Sequence, residues 1–212
     1  MLVPHIIEKP TSLIPTPAKM VILGSTGSIG RSALDVVRSN RERFEVLALS
    51  AHKNSELLLE QASEFKPRYA VFGEMQDNLE WACGATEFLS GSEALLDIAA
   101  LPDADIVLAA IVGHAGLRPL LAALQSGKRV ALANKESLVA AGELVRAAVE
   151  KSGAQIIPVD SEHSAIFQAI QGVHTKEISR LVLTASGGPF LNRDIATLCR
   201  VTPEEAVKHP IR

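Results

Sequence analysis

The chain has 212 residues, of which 47% are hydrophobic and only 4% aromatic, and its net charge is −3. This composition is typical of an α/β protein, and the length allows one large domain or one domain with part of a second. The weak negative charge offers no basic surface for nucleic acid. No apolar run reaches the roughly 18 residues of a membrane span. The two cysteines, Cys83 and Cys199, form no disulfide or metal pattern, so we expect a cytoplasmic protein.

Residues 1–18 are expected to be a loosely ordered extension, because prolines interrupt them and they lack the apolar core of a secretory signal. From Lys19 onward, apolar runs alternate with amphipathic stretches, which predicts βαβ units and a doubly wound parallel sheet. The predicted strands are residues 20–23, 44–49, 69–72, 105–109, 129–132, 156–159 and 181–184. The predicted helices include residues 29–38, 55–64, 117–125 and 136–151, and Gly153 is expected to end the last of these.

Four short polar motifs each follow a predicted strand. They are residues 24–30 (GSTGSIG), 134–136 (NKE), 160–162 (DSE) and 186–188 (SGG). The carboxyl ends of parallel strands meet at one edge of a sheet, where open α/β sheets bind ligands. The sequence therefore predicts one composite site, with a change of role near Gly153 because the chemistry of the later motifs differs from that of the earlier ones.

The first motif places Gly24, Gly27 and Gly30 between the first strand and the first helix. A glycine-rich turn there lets a pyrophosphate approach the helix N-terminus, as in Rossmann-like dinucleotide sites, although a glycine turn used only for packing has the same pattern. The second strand ends without a carboxylate and with Lys53 just beyond, which favours NADPH over NADH. A solvated lysine at a helix start explains Lys53 equally well. Residues 109–113 are expected to run beside the nicotinamide half.

Asp160 and Glu162 are separated by one residue, so in extended backbone both carboxylates point to one face. Two carboxylates suit Mg²⁺ or Mn²⁺, and a third ligand is expected although no other residue of this chain is a compelling candidate. A helix cap is the alternative interpretation of this motif. His163 is interpreted as a residue of helix start or packing rather than a ligand.

In the second motif, Lys135 can neutralise an anionic substrate, while Asn134 and Glu136 can orient an amide or a hydroxyl. The alternative is an ordinary helix start, in which Asn caps and Glu complements the helix dipole. Ser186 with its two following glycines can form an anion nest, or only a flexible turn before Pro189.

Taken in order, the segments LGSTGSIG, ANKESLVAAG, PVDSEHSAIFQ and LTASGGPF resemble the 1-deoxy-D-xylulose 5-phosphate reductoisomerase family, from about Lys19 to Pro210. The resemblance implies conversion of 1-deoxy-D-xylulose 5-phosphate to 2-C-methyl-D-erythritol 4-phosphate, in non-mevalonate isoprenoid biosynthesis. NADPH and a divalent metal, Mn²⁺, Mg²⁺ or Co²⁺, are the implied cofactors. It also implies an NADPH-binding domain at residues 19–153, the start of an α/β catalytic domain at 154–212, and a homodimer for the full-length enzyme.

The resemblance also implies a role for each matching residue. The implied cofactor contacts are Thr26, Gly27, Ser28, Ile29, Lys53, Asn54, Asn134 and Glu136. The implied contacts to the sugar phosphate are Lys135, Ser161, Glu162, Ser186 and His209. Lys135, Glu162 and His209 are the implied catalytic residues, and Asp160 and Glu162 are the implied metal ligands.

Two departures from the family pattern stand out. His52 occupies the position where the family usually has a glycine before Lys53 and Asn54. His209 matches the start of the family's mobile loop, and the chain ends three residues later, so we expect an N-terminal fragment with little or no turnover of its own. The alternatives are a semialdehyde-type dehydrogenase, which needs no metal, and a non-catalytic NADP-binding module.

Overall fold

The computed structural model describes residues 14–73, 83–184 and 188–208. Seven parallel strands form one sheet in these residues, with the spatial order β4-β3-β2-β1-β5-β6-β7. The strands are β1 (Ala18–Leu23), β2 (Phe44–Ala51), β3 (Tyr69–Phe72), β4 (Glu87–Ser90), β5 (Ile106–Ala109), β6 (Arg129–Leu132) and β7 (Gln155–Pro158). The predicted parallel α/β fold is confirmed.

Five helices connect the strands in the described ranges. They are α1 (Ser28–Ser39), α2 (Ser55–Phe65), α3 (Gly91–Ala99), α4 (Leu117–Gln125) and α5 (Glu136–Ser152). The four predicted helices match α1, α2, α4 and α5 to within one residue at each end, and Gly153 follows α5 in the left-handed region (φ +72°), as expected. Within α5 the backbone is non-helical at Ala141, so this helix is kinked.

Two strand predictions differ from the structure. The sequence pattern does not predict β4, because this short edge strand has only two apolar residues, Phe88 and Leu89, between polar ends. Conversely, the strand predicted at residues 181–184 is wrong, since these residues have no regular structure and Leu181, Val182 and Leu183 are more than half exposed. An apolar run becomes a strand only when a neighbouring strand satisfies its backbone, and in the described residues this run is in no ladder.

Helices cover both faces of the sheet, since alternate residues of its central strands contribute to two separate cores. On β1, Val21 and Leu23 belong to one core, which α3, α4 and α5 complete. Ile22 belongs to the other, together with Leu34 of α1 and Leu58 of α2. Strands buried on both faces are typical of a doubly wound parallel sheet, so the sheet leaves its carboxyl edge as the place for a ligand.

The chain divides into two compact units, Met1–Asp160 and Ser161–Arg212. The sheet with α1–α5 lies in the first unit, and the second contains α6 (Ser161–Ala169), α7 (Pro203–Ala206) and short 3₁₀ turns. Among the described side chains of the second unit, none is buried. Arg193 and Glu205 form an ion pair within this unit (2.8 Å). The functional boundary expected at residue 153 stays a prediction.

No helix in the described part of the chain is both long and apolar enough to cross a membrane.

Candidate cofactor and substrate site

At the carboxyl edge of the first unit, the strand order changes direction at β1. β2 lies on one side of β1 and β5 on the other, so the segments that follow these two strands diverge from that point. In open α/β sheets this is where ligands bind. The glycine motif follows β1, residues 110–116 follow β5, and residues 133–136 follow β6 on the same side.

The first and third glycines of the motif are required by the protein itself. Gly24 has φ +87°, and a Cβ on it would lie 2.9 Å from the carbonyl oxygen of Ala110. A Cβ on Gly30 would lie 2.3 Å from the carbonyl oxygen of Gly24 and 2.5 Å from Ser25 Cα. Any side chain at Gly24 or Gly30 would therefore push backbone atoms apart.

The middle glycine is different. Gly27 is exposed at the start of α1, and a Cβ added to it would come no closer than 3.4 Å to the carbonyl oxygen of Gly24, an ordinary contact. No side chain of the described residues caps α1, and its first turn has no acidic residue, so the free N–H groups and the helix dipole can attract an anion. Because the protein's own packing does not demand Gly27, close packing alone does not explain a glycine at this position. Of the other predicted phosphate contacts, Thr26 is half-buried, and Ser28 and Ile29 are exposed.

A buried hydrogen-bond network that the sequence analysis missed holds this loop in place. Ser25 Oγ donates to Gln61 Oε1 (2.7 Å), and Gln61 Nε2 donates back to the carbonyl oxygen of Ser25 (3.0 Å). The N–H of Ser25 donates to the carbonyl oxygen of Ser50 at the end of β2 (2.8 Å). Gln61 lies on the buried face of α2 between Leu58 and Ala62. A polar residue in that apolar stripe is the sequence signal that could have revealed the network.

The turn after β2 carries the predicted adenosine contacts Lys53 and Asn54. The Oδ1 of Asn54 accepts the N–H of Leu57 (3.2 Å), so Asn54 caps α2. Lys53 is exposed at the same turn. The turn is therefore open to a negatively charged group, and residues 50–54 contain no carboxylate that would repel it.

Asn134 ties the segment after β6 to the segment after β5. Its Nδ2 donates to the carbonyl oxygens of Ile111 (2.6 Å) and Gly113 (2.7 Å), and its Oδ1 accepts the N–H of Ser137 (3.1 Å). Asn134 is 4% exposed, and both of its amide hydrogens are used within the protein. Its side chain therefore supports the helix-start interpretation and also shapes the wall predicted to lie beside the nicotinamide. The next two residues, Lys135 and Glu136, are exposed at the start of α5.

The geometric reason for pairing Asp160 with Glu162 does not hold in the structure. β7 ends at Pro158 and α6 begins at Ser161, so Glu162 lies in the first turn of a helix and the two-residue alternation of extended backbone does not apply to it. Ser161 Oγ donates to Glu162 Oε2 (2.9 Å). The assignment of Asp160 and Glu162 as metal ligands therefore rests on the sequence pattern.

The described residues do not complete a metal site. Across residues 14–73, 83–184 and 188–208, no group of three or more His, Cys, Asp or Glu side chains could hold a metal ion. Carboxylate oxygens have the right chemistry for Mg²⁺, which proteins usually hold through one or two carboxylates while water and substrate oxygens complete its coordination. The predicted substrate contacts Ser186 and His209 lie outside the described residues.

Comparisons of this chain with known proteins all identify the same family. Residues 20–142 match the family model described as 1-deoxy-D-xylulose 5-phosphate reductoisomerase. Residues 156–211 match the model for the C-terminal domain of the same enzyme. The 1-deoxy-D-xylulose 5-phosphate reductoisomerase of Aromatoleum aromaticum is 49% identical over 210 residues, which cover 92% of this chain and 52% of the relative.

Solved structures agree with the sequence matches. The reductoisomerase of Zymomonas mobilis in complex with NADPH has a TM-score of 0.80 and 43% identity, covering 92% of this chain and 52% of that one. A reductoisomerase in complex with NADPH, fosmidomycin and magnesium has a TM-score of 0.73 and 42% identity, covering 91% of this chain and 51% of that one. The chain thus spans about half the length of the relatives it matches.

Proposed function

Because the chain belongs to the 1-deoxy-D-xylulose 5-phosphate reductoisomerase family, we propose that it provides the NADPH-binding part of that family's reaction. The reaction converts 1-deoxy-D-xylulose 5-phosphate to 2-C-methyl-D-erythritol 4-phosphate with NADPH as the reductant. The single observation that carries the proposal is the uncapped start of α1, where Gly27 leaves space that no protein atom needs. Family membership also decides against a semialdehyde-type dehydrogenase.

In this proposal each part of NADPH lies along the carboxyl edge of the sheet. The pyrophosphate accepts hydrogen bonds from the N–H groups of Thr26, Ser28 and Ile29, where the helix dipole of α1 adds to the attraction. Gly27 lies against it, and its own N–H donates to the carbonyl oxygen of Gly24 (3.2 Å). The 2′-phosphate lies near Lys53 after β2, and Asn54 holds that turn through its cap. The nicotinamide lies beside residues 110–113, and Asn134 holds their backbone through its hydrogen bonds to Ile111 and Gly113. Glu136 lies close by, at the start of α5.

The substrate and metal roles rest on the match of each residue to the family motifs. Lys135 is proposed to bind the anionic substrate, and its exposure leaves the ammonium group accessible. Ser161, Glu162, Ser186 and His209 are proposed as further substrate contacts, and Asp160 and Glu162 as two of the ligands of Mg²⁺, Mn²⁺ or Co²⁺. When bound, the metal would polarise the carbonyl and hydroxyl oxygens of the substrate.

The chain's own contribution to this chemistry is binding and orientation. When bound, NADPH supplies the hydride. The loops after β1, β2, β5 and β6 set where each half of the cofactor lies, and the buried pair Ser25 and Gln61 keeps the phosphate loop from moving relative to α2. On the family resemblance and the cysteine pattern, we propose that the complete enzyme is a cytoplasmic homodimer.

Binding of NADPH to the 212-residue chain tests the proposal directly. A ligand that binds only the folded state, at about 100 times its Kd, stabilises the protein by about 2.7 kcal/mol. We expect NADPH to raise the Tm clearly and NADH at the same concentration to raise it less. Lys53→Ala should reduce the NADPH effect, whereas the control Lys151→Ala, an exposed lysine in the last turn of α5, should not. A Tm that NADPH leaves unchanged would overturn the proposal.

A non-catalytic NADP-binding module is the second candidate for the 212-residue chain. It is favoured by one observation, that no described side chain of the second unit is buried. Oxidation of NADPH in the presence of 1-deoxy-D-xylulose 5-phosphate and Mg²⁺ would show catalysis by this chain. Stabilisation by NADPH without turnover, and without any effect of substrate or Mn²⁺ on the Tm, would instead support the module.

A further inference from the structure

The turn after β2 carries two side chains that form no polar contact among the residues the structure describes, whereas the residues on either side of them do. Ser50 and Asn54 are committed to the fold, because Ser50 Oγ accepts the N–H of Gly24 (3.1 Å) and Asn54 caps α2. Between them, His52 and Lys53 are exposed. Neither side chain makes a hydrogen bond or an ion pair with any residue of the chain that the structure describes.

His52 is nevertheless held at a defined place. Gly73 is the first residue after β3, and its N–H donates to the carbonyl oxygen of Ala51 (2.9 Å), so the turns after β2 and β3 are joined. A Cβ added to Gly73 would lie 2.1 Å from His52 Nδ1, 3.0 Å from Cε1 and 3.1 Å from Cγ. The imidazole thus occupies the space that a side chain at residue 73 would need.

This packing shows which edge of the ring lies against Gly73. Since Cγ, Nδ1 and Cε1 are the atoms nearest Gly73, the opposite edge of the ring carries Nε2. An imidazole nitrogen that bears hydrogen is a donor in the neutral and in the charged form. His52, when its Nε2 bears hydrogen, and Lys53 therefore offer two donors on adjacent residues just after the second strand, where this fold contacts the 2′ position of the adenosine ribose.

We propose that His52 is a specificity-determining residue that donates Nε2–H to the 2′-phosphate of NADPH beside Lys53, and that Gly73 positions its ring. NADH has a hydroxyl instead of this phosphate, so the contact separates the two cofactors. The inference rests on the proposed binding of NADPH at this edge. It assigns a function to the histidine that replaces the usual glycine of the family pattern.

The test measures the Kd of NADPH and of NADH for the full 212-residue chain and its variants. His52→Gly should raise the Kd of NADPH about tenfold, the size expected for loss of one hydrogen bond to a charged group. The Kd of NADH should stay within about twofold of its original value. His52→Phe keeps a planar ring but lacks a donor, so it should lose the same preference for NADPH. Because residue 52 is exposed, both variants should fold.

Gly73→Ala tests the positioning role while the histidine is still present. Its Cβ would displace the ring, so the NADPH preference should fall in the same direction as in His52→Gly. Gly142→Ala is the matched control, because a Cβ there meets no atom within 4 Å, and it should leave both Kd values unchanged. Thermal unfolding without ligand shows whether each variant is folded.

Four results would overturn the inference, the last of them together with the proposed function. If His52→Gly weakens NADPH and NADH equally, the ring contacts the shared adenosine rather than the 2′-phosphate. If His52→Phe retains the full preference, stacking and not hydrogen bonding is responsible. If the unchanged chain prefers NADPH and His52→Gly leaves that preference intact, this inference alone fails, whereas an unchanged chain that binds no NADPH would refute the proposed function together with it.

Discussion

At the scale of single residues, three glycines that look equivalent in the motif have different tasks. Gly24 and Gly30 are surrounded by backbone at distances no Cβ can accept, whereas Gly27 faces open space at the start of α1. Asn134 also has a task within the protein itself. Its side-chain amide N–H groups donate to the carbonyl oxygens of Ile111 and Gly113. A contact between Asn134 and a cofactor would therefore use its remaining acceptor capacity or its backbone.

Substitutions at two of these glycines should separate binding from stability. Gly30→Ala should destabilise the fold by roughly 2–4 kcal/mol, because its Cβ would lie 2.3 Å from the carbonyl oxygen of Gly24. Gly27→Ser should leave the free energy of unfolding nearly unchanged, since serine is a favourable residue at a helix start. The same substitution should raise the Kd of NADPH about tenfold or more. Urea unfolding and titration with NADPH measure the two effects. Equal NADPH affinity of Gly27→Ser and the unchanged chain would contradict the phosphate site at α1.

At the scale of elements, a salt-bridge cluster joins α1, which follows the glycine motif, to the neighbouring helix α2. Arg38 of α1 binds Glu64 of α2 through Nε to Oε1 (2.6 Å) and Nη2 to Oε2 (2.8 Å), and Arg41 adds a third contact to the same carboxylate (3.1 Å). The hydrogen bond from the Arg38 guanidinium lowers the pKa of the Glu64 carboxyl below its usual value of 4.5. This cluster connects α1 to α2. The buried pair Ser25 and Gln61 connects the loop after β1 to the same helix.

The contribution of Glu64 should depend on pH in a defined direction. A carboxyl whose pKa is lowered by folding contributes stability above its unfolded pKa and loses it as the pH falls through the folded value. Glu64→Gln should therefore cost about 0.5–1 kcal/mol near pH 7, a modest amount because the cluster is partly exposed, and almost nothing at an acid pH below the lowered pKa of the folded state. Urea unfolding at both pH values measures this. Glu60→Gln, an exposed position on α2, is the control, and equal behaviour of both variants would contradict the prediction.

At the scale of the whole molecule, the two units differ in how they are stabilised. The first has two apolar cores, one on each face of the sheet. In the second, the described residues form local contacts such as the capping box of Thr202 with Glu205, and none of their described side chains is buried. Burial of apolar area is the main source of stability in a folded domain, so the second unit is expected to open at a much lower free energy.

Limited proteolysis should reveal this difference. Chymotrypsin is expected to cleave first after exposed residues of the second unit, such as Leu181 and Leu183, and to leave β1–β7 and α1–α5 intact for longer. Trypsin should act at Lys176 or Arg180 well before Arg129, which is 9% exposed. Mass spectrometry identifies the products, and NADPH should slow the later cleavage of the first unit. Early cleavage within α1–α5 would contradict the prediction.

Much of the fold is predictable because its central strands and helices have strong local patterns. The pattern places β1, β2, β3, β5, β6 and β7 within a few residues, since each is a short apolar run bounded by turns. The strand prediction for the exposed run at residues 181–184 is wrong, because an apolar pattern does not show whether a partner strand is present. Among the site residues, the glycine motif lies between β1 and α1 as predicted, whereas Gln61 escapes prediction because its partner Ser25 is distant in the sequence.

By itself, the sequence determined the order of six of the strands and four of the helices, the position of the glycine loop and the family, because periodicity, turn residues and motifs are local properties of a chain. Only the tertiary structure decided which glycine faces open space, that Asn134 holds the backbone of Ile111 and Gly113, and that His52 rests on Gly73. These features depend on distances between atoms that are far apart along the chain. Such distances exist only once the strands have paired and both faces of the sheet are packed.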